Sequence, residues 1–177
     1  MKNILAGHVL DQNVLWLLSS VIDSFSTEGK SGVGLPLGNL TSQLLVNIYM
    51  NEFDQYVKHT LRIKHYIRYA DDFVFLSHSK AELQTLIPIL THILRDRLKL
   101  VLHPSKLFLK TLASGLDFLG WVHFPDHRIL RTSTKRRMFR NLAARPLSEA
   151  KVSSYLGLLG HGNVYKLKEK VLNFTHA

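Results

Sequence analysis

The chain has 177 residues, 46% hydrophobic and 20% charged, which suffices for one ordinary core with a small appendage and not for two full-sized domains. Its 23 Lys and Arg outweigh 13 Asp and Glu, and a net charge of +10 favours a polyanionic partner, whether nucleic acid, an acidic ligand or an anionic membrane. The absence of cysteine excludes a disulfide scaffold, a zinc ribbon and a thiol nucleophile, so any chemistry must use carboxylates, His, Lys or hydroxyls.

In chain order, Asp11 stands before Val14, Leu15, Leu17, Leu18, Val21, Ile22 and Phe25, whose spacing predicts a helix with a buried face and Asp11 as N-cap. Gly29, Gly32, Gly34 and Pro36 stop it. A second helix is predicted from Asn39 or Thr41 to about His59, with Leu44, Leu45, Ile48, Tyr49, Phe53 and Val57 inward. From 63 to 77, Ile63, His65, Ile67 and Tyr69 alternate with Lys64, Tyr66 and Arg68, and the run Phe73-Val-Phe-Leu76 follows, which predicts a hairpin around Ala70-Asp71-Asp72. Ser79-Lys-Ala-Glu82 fits a capping box opening a helix to about Leu98, bent or interrupted at Pro88. Strands are predicted at about 99–102, 106–111 and 116–124. A basic helix then starts at Ser133 or Thr134, Pro146 breaks it, and short helices follow near 148–158 and 164–173. This order predicts an α+β body, an antiparallel sheet with packed helices, followed by a helical tail.

The charge is uneven. Residues 125–177 hold 11 Lys and Arg against 3 Asp and Glu, whereas residues 1–124 are nearly balanced, so a neutral body precedes a basic tail. The tail reads either as a solvated helical face or as a nucleic-acid contact. Ser31 to Asn51, the longest uncharged stretch, is interrupted by Asn39, Thr41, Ser42, Gln43 and Asn47 and falls short of the roughly 20 apolar residues of a membrane span. No secretory leader pattern follows Met1, and a soluble cytoplasmic protein is expected.

Asp71 and Asp72 at a hairpin tip are unusual, because a tight turn prefers Asn-Gly or Asp-Gly. Adjacent carboxylates repel, and a divalent cation with oxygen ligands relieves this, although an exposed Asx turn would also account for the pair. Gly34-Leu-Pro-Leu-Gly-Asn-Leu-Thr-Ser-Gln43 places glycines and small polar residues just before a helix, where backbone can approach a ligand closely and free N–H groups can face phosphate. An ordinary loop with a helix cap is the alternative.

Taken together, Gly34 to Gln43 with Asn47, Arg68-Tyr-Ala-Asp-Asp72, His103-Pro-Ser-Lys106 and Asp117-Phe-Leu-Gly-Trp121 resemble four ordered motifs of bacterial group II intron-like reverse transcriptases. Ser154-Tyr-Leu-Gly157 and Val164-Tyr-Lys-Leu167 resemble the thumb of those enzymes, and Leu37 to Gln43 resembles the diversity-generating retroelement type. The resemblance implies a partial polymerase palm over 1–124 and a basic helical thumb over 125–177. It implies RNA-templated DNA synthesis with two Mg²⁺ ions, Asp71 and Asp72 as metal ligands, and Lys106 near the triphosphate. Pro36, Gly38, Gln43, Tyr69 and Ala70 would shape the nucleotide pocket. Phe118, Gly120 and Trp121 would support the primer strand or form a hinge, and Arg128, Arg131, Lys135, Arg136, Arg137 and Arg140 would hold phosphate. The implied partners are an RNA template, a DNA primer or RNA–DNA hybrid, and deoxynucleoside triphosphates.

The family's palm also takes a carboxylate from an earlier strand. Asp11 fits a helix cap and Asp23 lies within a helical period, so neither supplies it, and the expectation is a chain truncated before the fingers and first palm strand, with an incomplete metal site. A non-catalytic RNA or hybrid-binding remnant is the alternative. A phosphodiesterase using Asp71, Asp72 and one of ten histidines is a third reading.

Overall fold

The computed structural model describes residues 1–24, 40–144 and 148–174. Packing divides the chain into two compact units, Met1–Leu107 and Phe108–Ala177. The architecture is α+β, with small antiparallel sheets and helices packed on them.

In the first unit a short helix α1 (Lys2–Ala6) precedes α2 (Gln12–Asp23), whose N-cap is Asp11 as predicted: its carboxylate accepts from the N–H groups of Asn13 and Val14. The predicted burial of α2 differs, for no residue of the helix is buried and Trp16 and Leu17 stand open. Helix α3 (Leu40–Gln55) ends in a π-helical turn over Tyr56–Thr60, close to the predicted stop at His59. Strands β1 (Tyr66–Tyr69) and β2 (Asp72–Phe75) form the predicted hairpin, with Tyr66 opposite Phe75 and Tyr69 opposite Asp72.

Helix α4 (Lys80–Leu98) runs through Pro88 to Leu98. Its cap is a relay rather than a reciprocal pair. The Ser79 hydroxyl accepts from the Glu82 N–H, while the Ser77 hydroxyl donates to the Glu82 carboxylate and accepts from the Ser79 N–H. The core of this unit joins Met50, Phe53 and Val57 from α3 and its π turn, Tyr66 from β1, and Leu90, Ile93, Leu94 and Leu98 from α4. Phe53 is fully buried, and its ring lies 5.1 Å from that of Phe73 and edge-on to Tyr66 at 6.0 Å.

The strands predicted at 99–102 and 106–111 do not form. Lys99 adopts a left-handed conformation that ends α4, and single 3₁₀ turns occupy Pro104–Lys106 and Leu112–Ser114. An apolar run becomes a strand only where a partner accepts its backbone groups. Among the described residues this segment has no such partner, and Val101 and Phe108 lie exposed.

In the second unit, β3 (Leu116–Phe118), β4 (Trp121–His123) and β5 (Arg128–Leu130) form an antiparallel sheet in that order. Strand β5 was not predicted. Helices α5 (Thr132–Ala143), α6 (Glu149–Leu159) and α7 (Tyr165–Asn173) follow, all within a residue or two of expectation. The predicted break at Pro146 lies outside the described residues. Trp121 and Leu130 share one core with Met138, Leu142, Val152, Leu159, Val164 and Val171. The division by packing therefore falls at 107/108, whereas the boundary expected from the motifs, 124/125, falls in the β4–β5 connection.

Candidate active site

The tip of the β1–β2 hairpin is a two-residue turn, Ala70-Asp71, between the paired residues Tyr69 and Asp72. Only Ala70 of the two has a positive φ, +52°, the pattern of a type II′ turn, where glycine is the usual occupant. A methyl-bearing residue there is strained and must be held by its surroundings.

Arg68 supplies the hold. It lies on the inner side of β1 with only 10% of its side chain exposed, and its guanidinium makes four hydrogen bonds. Nε donates to Asp54 Oδ1 at 2.8 Å and Nη2 to Asp54 Oδ2 at 2.6 Å, a two-point ion pair. Nη1 donates to Asn47 Oδ1 at 3.2 Å and to the carbonyl of Ala70 at 2.7 Å. The Tyr66 hydroxyl donates to Asp54 Oδ1 at 2.7 Å and completes the network.

Burial opposes ionisation of Asp54, but hydrogen bonds from Arg68 and Tyr66 and the neighbouring cations outweigh it and hold the carboxyl below its ordinary range. The Asp54 hydrogen bonds in turn raise Arg68, and burial followed by the same carboxylate drives the Tyr66 phenol far up. All three groups therefore keep fixed protonation states around neutral pH.

The alternating pattern leaves the inward face of β1 unassigned, and the structure assigns it. Tyr66 and Arg68 point inward, while Ile67 and Tyr69 are 55% and 64% exposed. The inner face tolerates a cation because α3 brings an acid to it. Sequence reasoning missed Asp54 and the role of Arg68. The signal was available: Asn47 and Asp54 lie seven residues apart, one face of two helical turns, and a cation alternating with a buried Tyr needs an acid.

Asp71 and Asp72 are both exposed, and among the described residues neither side chain has a hydrogen-bond or ion-pair partner. Gln43 and Asn47 lie exposed on α3, the helix that carries Asp54. Pro36 and Gly38 lie outside the described residues. Lys106 ends an exposed 3₁₀ turn, not a strand, with its N–H bonded to the His103 carbonyl. No group of three or more His, Cys, Asp or Glu side chains placed to hold a metal ion occurs among the described residues. The two adjacent carboxylates nevertheless suit Mg²⁺, a hard cation that commonly takes one or two carboxylates, substrate phosphates and retained waters.

In the second unit Leu119 and Gly120 form the β3–β4 turn with φ of +54° and +82°, a type I′ pattern in which the glycine is unstrained. Phe118 is half-buried. Trp121, expected to support a primer strand or form a hinge, is only 6% exposed and belongs to the core, because its ring fills the space beside Gly162 and Leu130. Arg128 stacks on the Trp121 ring, and its Nε donates to the His161 carbonyl. Arg131 pairs with Asp117. By contrast Lys135, Arg136, Arg137 and Arg140 on α5 are exposed, with no side-chain partner among the described residues. Arg136, Arg137 and Arg140 fall within about 100° of the helix circumference, opposite the buried Met138 and Leu142.

Comparison with known proteins gives a match to the reverse transcriptase (RNA-dependent DNA polymerase) family over residues 8–123. Protein YkfC of Escherichia coli (strain K12) is 28% identical over 150 residues, covering 67% of this chain. The chain spans 38% of the length of that relative. The matched interval includes α2, α3, the carboxylate hairpin, α4 and the β3–β4 turn. No helix among the described residues is long and apolar enough to cross a membrane.

Proposed function

The chain belongs to the reverse transcriptase family, and on that footing we propose that it is the C-terminal part of a polymerase that copies an RNA template into DNA by two-metal nucleotidyl transfer. The observation that carries the reading is the exposed pair Asp71-Asp72 at a turn pinned from within by Arg68. A rigid tip carrying two unpaired carboxylates is a poor stabilising device and a good cation holder.

In this reading Asp71 and Asp72 hold Mg²⁺, which when bound supplies activation of the primer 3′-hydroxyl and stabilisation of the pyrophosphate leaving group. Tyr69, exposed beside Asp72 across the turn, offers a ring face to the incoming nucleotide or primer end. Pro36, Gly38, Gln43 and Ala70 border the nucleotide, and Lys106 offers a cation to the triphosphate, as the motifs imply. The β3–β4 turn, through Phe118 and Gly120, supports the primer strand. The open cations of α5, Lys135, Arg136, Arg137 and Arg140, contact the phosphates of an RNA–DNA hybrid in a basic thumb. The retroelement type follows the Leu37 to Gln43 motif.

A third carboxylate for the site would come from a segment other than the described residues, in keeping with the 38% coverage of YkfC. The same observation favours one second reading, binding of RNA or hybrid without chemistry. Primer extension on an RNA template separates the two. We expect no measurable synthesis by residues 1–177 with Mg²⁺, and synthesis when an upstream segment with an Asp-bearing strand is joined. Asp71→Asn in that longer protein should abolish extension and leave template binding intact, since it removes charge and little volume. Hybrid binding without extension in the longer protein would establish the second reading, and robust synthesis by the 177 residues alone would refute the proposed carboxylate set.

A further inference from the structure

The two turns compatible with a two-residue hairpin, I′ and II′, share a positive φ at the first turn residue and differ in the sign of φ at the second. At the β1–β2 tip that difference amounts to the orientation of the Ala70–Asp71 peptide. Rotating this peptide re-aims Asp71 without breaking any bond of the β1–β2 ladder, so the ladder alone does not decide where the carboxylate points. The group that senses the peptide's orientation is its carbonyl, and that carbonyl accepts from Arg68 Nη1 at 2.7 Å.

We propose that Arg68 is a positioning residue: anchored on Asp54 of α3, it fixes the Ala70–Asp71 peptide and thereby the aim of the carboxylate tip. The anchor is firm because Asp54 binds two of the guanidinium nitrogens while accepting from Tyr66, itself 9% exposed in the core. The remaining Nη1 is thereby directed at the tip and at Asn47 of α3 together. One planar group thus ties the helix bearing Gln43 and Asn47 to the turn bearing Asp71. Lysine cannot substitute, because a single ammonium has no fork to hold Asp54 at two points while reaching the Ala70 carbonyl. The strained φ of Ala70 makes the hold necessary, since a residue at this φ relaxes when released. The consequence for metal binding rests on reading Asp71 and Asp72 as metal carboxylates; the consequence for the turn does not.

The test uses ¹⁵N-labelled residues 1–177, with Mn²⁺ as a paramagnetic probe and Arg68→Lys as the variant. In the wild type, Mn²⁺ should broaden the amide signals of Ala70, Asp71 and Asp72 selectively. In Arg68→Lys the Phe53, Tyr66 and Leu94 signals should stay in place, the tip signals should shift and exchange-broaden without metal, and tip affinity for Mn²⁺ should fall about tenfold, as for other groups that orient a metal ligand. If Arg68→Lys does not fold, Asp54→Asn, which keeps an acceptor for Tyr66, is read by the same signals. Unchanged tip signals and Mn²⁺ affinity in the folded variant would overturn the proposal. So would loss of core and tip signals together in both variants, which would assign the network to holding the fold. Absence of Mn²⁺ broadening in the wild type would refute the metal reading instead, while the metal-free tip signals would still decide the role of Arg68.

Discussion

Replacing Gly162 with alanine sets a side chain against the densest contact of the second unit. A Cβ built at Gly162 would lie 2.2 Å from one carbon of the Trp121 ring and 2.7 Å from the next. Carbon atoms rest at about 3.7 Å, so the ring or the loop must yield by roughly 1.5 Å. Neither moves freely. Trp121 is 6% exposed within the core and carries Arg128 over its face, and the loop is stapled to β5 by the Asn163 N–H on the Arg128 carbonyl at 3.0 Å. Overpacking of a closed core by one methyl costs about 1–3 kcal/mol, and a contact this short against a rigid ring belongs near the top, about 3 kcal/mol. Gly157, in α6, is the internal control: a Cβ there meets nothing within 4 Å, so Gly157→Ala should stabilise by about 0.5–1 kcal/mol through helix propensity. Urea unfolding followed by Trp121 fluorescence, in a Trp16→Phe background to silence the exposed indole, measures both. A Gly162→Ala protein within 0.5 kcal/mol of its parent, a margin ordinary for surface changes, would refute the packing argument.

Three further outcomes are expected. Asp54 is held below its ordinary range, so its ion pair contributes stability fully above the unfolded carboxyl value of about 4 and loses it as pH falls through the lower folded value. The stability gap between wild type and Asp54→Asn should therefore be flat from about pH 5 to 7 and narrow as pH falls below about 4; a gap that stays constant or widens below about pH 4 would contradict this. Hybrid binding should weaken steeply with salt, and Arg136→Gln with Arg137→Gln should reduce the log–log slope by about 1–2, since each phosphate contact contributes about 0.9 on duplex DNA. Arg131→Gln, at a cation already paired with Asp117, should change that slope much less, and equal effects would show that pairing within the unit does not decide which cations meet phosphate.

The carboxylate hairpin, the Asp11 cap and the helices around them were legible because each is written in local chemistry: a capping side chain, an alternating strand, a turn. The error at 99–111 came from treating apolar runs as strands without asking where their backbone groups would pair. The motif leaves Trp121 as either a primer-strand support or a hydrophobic hinge, and its burial beside Gly162 in the core was not legible from the motif. The Arg68–Asp54 pair joins residues 14 apart in different elements, and the period-two alternation of β1 by itself does not say which of its two faces is inward. What went unread depends on which inward cation meets which inward acid, and only the packing of α3 against the hairpin decides that.

Among the described residues, the buried core of the first unit comes from α3 and its π turn, the hairpin and α4, consecutive elements with short connections. Such local connectivity folds fast, with a hairpin closing in about 1–10 μs, whereas a ribosome adds about 5–20 residues each second. Helix α5 begins at Thr132, 25 residues after the end of that unit at Leu107, so roughly 1–5 s of synthesis separate the two. The residues of the carboxylate tip and of its Asp54–Arg68 anchor are thus all synthesised before the cations of α5.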